Sequence, residues 1–116
     1  MALRFEIFRW GILEDMPLIK VGTVSAVPPD SVLEVMVGPQ PYAICNVGGN
    51  FSALNGVCIH RGGPLGQGQI ENGRVVCPYH MWAFDCSTGA YDYDPTKGVA
   101  TYPVQVEGDD ILLQVP

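Results

Sequence analysis

Short apolar runs separated by turn-forming residues dominate this chain of 116 residues. No stretch repeats its apolar residues with the period of about 3.6 that marks an amphipathic helix. The turns at 48–50 and 107–110 indicate two hairpins. The runs of strand length are 17–27, 32–37, 42–47, 51–54, 74–77, 82–85, 101–106 and 111–115. The pattern predicts an all-β fold whose base is a β-sandwich or a partly open barrel.

A Gly-rich segment at 56–95 interrupts this pattern. Its first part, 56–73, holds six Gly and one Pro with little periodicity. Such a segment is too large and too rich in glycine to be held by the burial of its own apolar side chains. We expect a single domain over 1–116 with a loop-rich insert at about 56–95. The first 16 residues fit either an added edge strand or a contact with a partner.

The charge of the chain restricts its partners. The net charge is −6 and the pI is about 4.5, and the six basic residues do not cluster. Nucleic acids and anionic membranes require clustered Lys and Arg, so neither is expected as a partner, whereas a basic protein surface is. The N-terminal residues show no apolar core of a signal peptide, and no run approaches the roughly 20 residues of a membrane helix. We expect a cytoplasmic protein, in which the four Cys are ligands or buried thiols.

Both histidines of the chain lie next to cysteines. Cys58 and His60 form a first arm and Cys77 and His80 a second, in the pattern C-x-H-x16-C-x2-H. Zinc binds two Cys and two His in a tetrahedron, but its familiar finger spacing pairs Cys with Cys and His with His. A Rieske [2Fe-2S] cluster takes Cys on one iron and His on the other. Two mixed arms suit this second arrangement because they can hold the cluster from both sides, and a zinc site is the alternative.

The segments around the two arms resemble the cluster-binding boxes of the Rieske family. They read CIHRGGPLGQG at 58–68 and CPYHMWAFDCSTG at 77–89, and TYPVQVEGDDI at 101–111 is similar to the segment that closes the fold of soluble Rieske ferredoxins. The resemblance implies a β base with a small loop-rich subdomain that binds one [2Fe-2S] cluster. It also implies that Cys58 and Cys77 bind the buried iron, that His60 and His80 bind the outer iron near the surface, and that the chain has no catalytic residues.

Differences from other Rieske proteins narrow the expectation to a soluble ferredoxin. Respiratory Rieske proteins carry a disulfide between their two loops, and the matching positions here are Gly63 and Tyr79. They also place Ser and Tyr hydroxyls beside the cluster, and the matching positions here are Trp82 and Phe84. Because fewer donors then stabilise the added electron, we expect a potential near the low end of the Rieske range, about −150 mV.

We do not expect a large oxygenase subunit, because 116 residues leave no room for its second iron domain and no His is left to bind that iron. The resemblance implies a carrier that is not an enzyme and that passes single electrons from a flavin-containing ferredoxin reductase to a terminal oxygenase of the aromatic-ring dioxygenase type. The alternatives are the small subunit of a nitrite reductase or another redox complex, and a zinc-stabilised binding module.

Three further residues bear on the site. We expect Cys45 and Cys86 to be buried free thiols rather than a disulfide. Trp82 could cover the cluster, but we expect it to pack the insert against the β base.

Overall fold

The computed structural model describes residues 17–116, and nearly all of its regular structure is β. Two single 3-10 turns lie at Val24–Ala26 and Leu65–Gln67. No helix in this part of the chain is long and apolar enough to cross a membrane. The strands of residues 17–116 are β1 Leu18–Thr23, β2 Ser31–Val37, β3 Gln40–Val47, β4 Asn50–Asn55, β5 Gln69–Glu71, β6 Arg74–Val76, β7 Ala83–Asp85, β8 Ala90–Tyr91, β9 Asp94–Gly98, β10 Thr101–Tyr102, β11 Val104–Glu107 and β12 Asp110–Gln114.

Two antiparallel sheets form the base of the fold. One has the strand order β1-β12-β11 and the other the order β10-β4-β3-β2, and the two do not close into a barrel. Both hairpins are where the sequence predicts them, with Val47 paired to Asn50 and Glu107 paired to Asp110. Gly48 and Gly49 have φ angles of 59° and 96°, which suit a tight hairpin turn between strands that twist to the right.

The sheet that contains β3 is covered on both faces. Ile44 and Ala53 pack with Ile111 and Leu113 of the other base sheet. Ala43, Cys45 and Leu54, the neighbouring residues of β3 and β4, point the opposite way. They pack with Val75 and Phe84 of the segment predicted as an insert. This arrangement explains why residues 42–46 of β3 are all buried, since a strand between two layers has no solvent face.

The predicted insert contains a third sheet with the strand order β5-β6-β7-β8-β9. This sheet ends at Gly98, three residues beyond the expected limit. The apolar pattern does not reveal β9, because its sequence DPTKG is polar and four of its five residues are exposed. A single domain over 1–116 stays a prediction, and the edge strand considered for residues 1–16 lies outside the described residues.

Gly66 holds the segment after the first arm against the base. A Cβ atom at Gly66 would lie 2.5 Å from the Cβ of Glu34 and 2.6 Å from its Cα, so only glycine lets the turn approach β2 this closely. The neighbouring Gln67 Nε2 donates a hydrogen bond of 3.0 Å to Glu34 Oε1, and Leu65 is fully buried. The close approach therefore fixes the first arm on the base sheet.

We expect Gly66→Ala to lower the free energy of unfolding by about 1–3 kcal/mol, because the added methyl group meets backbone that cannot rotate away. The measurement is the midpoint of thermal unfolding, which should fall by several degrees. Gly22→Ala is the matched control, since a Cβ there meets only Leu33 Cδ2 at 3.5 Å. Its effect should stay below about 1 kcal/mol. Equal losses of stability in the two variants would contradict the role of Gly66 in the close approach of the turn to β2.

Candidate metal centre

Cys58 and His60 lie in a first loop, residues 57–64, that closes on itself after β4. The Cys58 N–H donates to the carbonyl of Gly63 at 2.8 Å, and the Gly62 N–H donates back to the carbonyl of Cys58 at 2.9 Å. Gly62 has a φ of 74°, a left-handed conformation that costs glycine little. These bonds fix the loop with the Cys58 side chain buried and the His60 ring half-exposed.

Cys77 and His80 lie in a second loop, residues 77–82, which joins β6 to β7. The Cys77 N–H donates to the carbonyl of Trp82 at 2.7 Å, and the Met81 N–H donates to the carbonyl of Cys77 at 3.0 Å. Met81 has a φ of 63°, a left-handed conformation that is unfavourable for a residue other than glycine. The hydrogen bonds of the loop hold the residue in this conformation. The loop buries Cys77 at its base and leaves His80 exposed at its tip.

The two thiol groups of the arms meet in the protein interior. Cys58 is 2% exposed and Cys77 is 1% exposed, and the two side chains are close enough to hydrogen-bond. Burial, together with the Cys77 side chain, raises the pKa of Cys58 to about 11, although the His60 backbone N–H, 3.4 Å from the Cys58 Sγ, acts against the rise. The Cys58 thiol therefore stays protonated on its own, and a bound metal ion would supply the positive charge that removes its proton.

The two imidazole rings meet at the surface of the protein. The ring centroids of His60 and His80 are 4.6 Å apart and their planes are at 79°. Partial desolvation, then the neighbouring His80 and Arg61, lowers the pKa of His60. The lower pKa favours the neutral imidazole, which is the form that binds metals.

The donor set fits a two-iron cluster. It consists of two pairs, buried thiols and surface imidazoles, as a Rieske cluster requires. A Cβ atom at Gly63 would lie 2.5 Å from the Cys77 Sγ, so the first loop leaves space beside the sulfur that any other residue would fill. Within residues 17–116, no three Cys, His, Asp or Glu side chains are gathered closely enough to hold a single metal ion. The four ligands predicted from the sequence are thus all brought together, in pairs.

Gly63 and Tyr79, the positions that match the respiratory disulfide, also lie face to face. A Cβ atom at Gly63 would be 3.1 Å from the Tyr79 Cγ, so the tyrosine ring covers the site of the missing bridge. All four cysteines are buried free thiols, including Cys45 and Cys86.

An aromatic stack supports the first arm from the side. The His60 ring stacks on Trp82 with a centroid distance of 4.2 Å and an interplanar angle of 8°. Trp82 in turn stacks on Tyr91 at 4.1 Å and 9°. Trp82 therefore both contacts a predicted ligand and packs the third sheet. The sequence analysis missed Tyr91, whose only signal is its place in a two-residue strand after Gly89.

Comparison with known proteins identifies the family. Residues 18–103 match the family model described as the Rieske [2Fe-2S] domain. The chain belongs to this family. The ferredoxin component of biphenyl 2,3-dioxygenase from Rhodococcus jostii (strain RHA1) is 34% identical to this Rieske domain over 101 residues, which cover 86% of this chain and 94% of that protein. The 3-phenylpropionate/cinnamic acid dioxygenase ferredoxin subunit of Escherichia coli (strain K12) is 38% identical over 95 residues, which cover 80% and 89%.

A solved structure agrees with this grouping. One chain of the complex of reduced oxygenase and oxidized ferredoxin in carbazole 1,9a-dioxygenase matches this Rieske domain with a TM-score of 0.75 and 27% identity, over 84% of this chain and 92% of that chain. The resemblance to soluble Rieske ferredoxins is confirmed. The chain holds one Rieske [2Fe-2S] cluster and is an electron carrier rather than a catalytic enzyme.

We expect Trp82→Leu to destabilise the domain by about 1–3 kcal/mol, because it removes two aromatic stacks that are each worth about 0.5–1.5 kcal/mol. The cluster of the variant should also bleach faster in the presence of a chelator, as measured by the decay of visible absorbance. Trp82→Phe keeps a ring between His60 and Tyr91. Its stability and bleaching rate should therefore lie between those of Trp82→Leu and those of the natural protein. If leucine and phenylalanine behave alike, the stack does not support the arm.

Proposed function

We propose that this Rieske domain passes single electrons from a flavin-containing ferredoxin reductase to the terminal oxygenase of an aromatic-ring dioxygenase. Cys58 and Cys77 would hold one iron of the cluster, and His60 and His80 would hold the other. When bound, the cluster takes up and releases one electron. The observation that carries the proposal is the pairing of two buried thiols with two imidazoles at the surface, because a group held by these residues would be shielded from water by the thiol pair and accessible to a partner through the imidazoles.

The surroundings of the two histidines support docking of a protein partner. Large apolar side chains on the same two loops are exposed, and apolar groups at the centre of an interface contribute most of its affinity. Their exposed fractions are 41% for Val57, 46% for Ile59, 59% for Tyr79 and 66% for Met81. We call these four residues the apolar tip. A partner that covers the apolar tip would also contact the edges of His60 and His80.

The relatives support the choice of partner. The similar proteins named above are ferredoxin components of dioxygenases, and one solved neighbour is a complex of an oxygenase with a ferredoxin. The small subunit of a nitrite reductase is the weaker alternative, because the relatives above 30% identity named here are dioxygenase components. The four free cysteines suit the reducing cytoplasm, which we propose as the location.

The ligand assignment predicts different results for the two kinds of ligand. Cys58→Ser and Cys77→Ser should lose most of the cluster, since serine is a poor substitute for a thiolate. His60→Cys and His80→Cys should either lose the cluster or shift the potential from about −150 mV toward the value of about −400 mV typical of ferredoxins with four Cys ligands. Redox titration followed by visible absorbance measures the potential, and iron analysis measures the cluster content.

Cys45→Ala is the matched control for the two serine variants, because Cys45 is as buried as the ligands but lies in β3. The Cys45→Ala variant should keep the iron content and the redox potential of the natural protein. An unchanged spectrum and potential in the His60→Cys and His80→Cys variants would disprove the assignment of these histidines, and a natural protein with a potential above about +100 mV would disprove the low-potential expectation.

The docking proposal predicts that Met81→Ala slows electron transfer to the oxygenase. The chain is reduced with dithionite, freed of excess reductant and mixed with the oxidised oxygenase component of biphenyl 2,3-dioxygenase, and its reoxidation is followed by stopped flow. We expect the second-order rate constant to fall about tenfold, which corresponds to about 1.4 kcal/mol of lost interface energy. Met36→Ala is the control, since Met36 is also exposed, at 57%, but lies in β2 of the base. Equal rate losses in the two variants would exclude the apolar tip as the docking site.

A further inference from the structure

Two cysteines outside the metal centre contact each other between two sheets. Cys45 lies in β3 of the base and is fully buried, and Cys86 follows β7 of the third sheet and is 2% exposed. Both side chains belong to the same buried core cluster, and each shifts the pKa of the other. Because β3 and β7 belong to different sheets, this contact joins the base to the layer that carries the second arm.

The surroundings make the two thiols unequal. Ser52 pairs with Cys45 across β3 and β4, and its side chain acts to lower the pKa of Cys45. The contact with Cys86, then burial, raises the pKa of Cys45, whereas the hydrogen bond from Cys45 lowers the pKa of Cys86.

A pocket at the seam of the two sheets reaches Cys86. Its volume is about 320 Å³, and its walls include Ser52 from β4 and Asn72, Asp85, Cys86 and Ser87 from the third sheet. Cys45 is not among the residues of its wall. The pocket is large enough for a molecule the size of hydrogen peroxide, which would meet Cys86 rather than Cys45, because only Cys86 lines the pocket.

We propose that Cys86 and Cys45 form a peroxide-sensitive dithiol that is separate from the cluster ligands. The Cys86 thiolate attacks one oxygen of hydrogen peroxide, the O–O bond breaks, and Cys86 becomes a sulfenic acid while the second oxygen leaves as hydroxide. The Cys45 sulfur then attacks the Cys86 sulfur, the S–O bond breaks, and the leaving oxygen departs as water with the Cys45 proton. In sum, two thiols are oxidised to one disulfide and one peroxide is reduced to two waters. A small thiol reductant reverses the reaction.

The disulfide would brace the cluster-binding loops. It closes a loop that contains both arms, because Cys58 to His80 lie between Cys45 and Cys86 in the sequence. A cross-link of this kind limits the freedom of the unfolded chain. We therefore expect the oxidised protein to melt at a higher temperature and to release its cluster more slowly than the reduced protein.

The test uses the protein with its cluster bound. It is treated with about one equivalent of hydrogen peroxide under nitrogen, the visible absorbance of the cluster is recorded, and the free thiols are then alkylated and mapped by mass spectrometry. Trypsin leaves Cys45 and Cys58 together in peptide 21–61 and Cys77 and Cys86 together in peptide 75–97, so a second digestion with chymotrypsin is needed to separate them. The expected product is a disulfide between Cys45 and Cys86, formed while the cluster absorbance persists.

Two variants distinguish the roles of the thiols. In Cys45→Ala, Cys86 should accumulate as a sulfenic acid that dimedone traps. In Cys86→Ala, Cys45 should stay unmodified because it is fully buried and does not line the pocket that reaches Cys86. If the natural protein keeps both thiols free while the cluster bleaches, or if dimedone labels Cys45 in the Cys86→Ala variant, the proposal is wrong.

The inference rests on the proposed function only in taking Cys58 and Cys77 as the cluster ligands. Alkylation of the cluster-bearing protein before oxidation tests that assumption separately. Labelling of Cys58 or Cys77 at that stage would overturn the ligand assignment, whereas the absence of the Cys45–Cys86 disulfide after oxidation would overturn only the dithiol.

Discussion

Two thiol groups buried side by side impose the main constraint on this structure. Water cannot stabilise their charged forms, and burial raises the pKa of Cys58 to about 11. A bound metal reverses this preference because it supplies the positive charge that the interior lacks. Binding of the cluster would therefore stabilise the folded loops around the thiols. Within each loop, backbone hydrogen bonds join other residues of the loop to its cysteine, Cys58 or Cys77.

The three sheets position these two loops but contribute no predicted ligand to the metal centre. The sheet of β2, β3, β4 and β10 lies between the other base sheet and the third sheet, and its two faces contribute to two separate cores. Gly66 and Leu65 anchor the segment that follows the first arm on this sheet. On the other side, the stack of His60, Trp82 and Tyr91 fixes the first arm against the second loop and the third sheet. His60 is thus half-exposed but held in one orientation by the stack, and its ring contacts that of the exposed His80.

Several features follow from the sequence because they are local. The hairpins at 48–50 and 107–110 depend on turn chemistry within a few residues, and the two arms depend on the spacing of Cys and His. Features that depend on contacts between distant segments could not be predicted. The strand β9 is polar and is recognisable only from its partner β8. The stack of Trp82 on Tyr91 and the contact of Cys45 with Cys86 join residues from different strands, and no periodicity in the sequence indicates either.

The central claim is that two thiolates and two imidazoles of this chain hold one two-iron cluster. The most direct measurement is low-temperature electron paramagnetic resonance of the purified protein after reduction with dithionite, with pulsed detection of nitrogen coupling and analysis of bound metals. We expect a coloured protein with two irons per chain and a one-electron signal coupled to nitrogens of two imidazoles. A colourless protein with one zinc per chain and no signal after dithionite would contradict it.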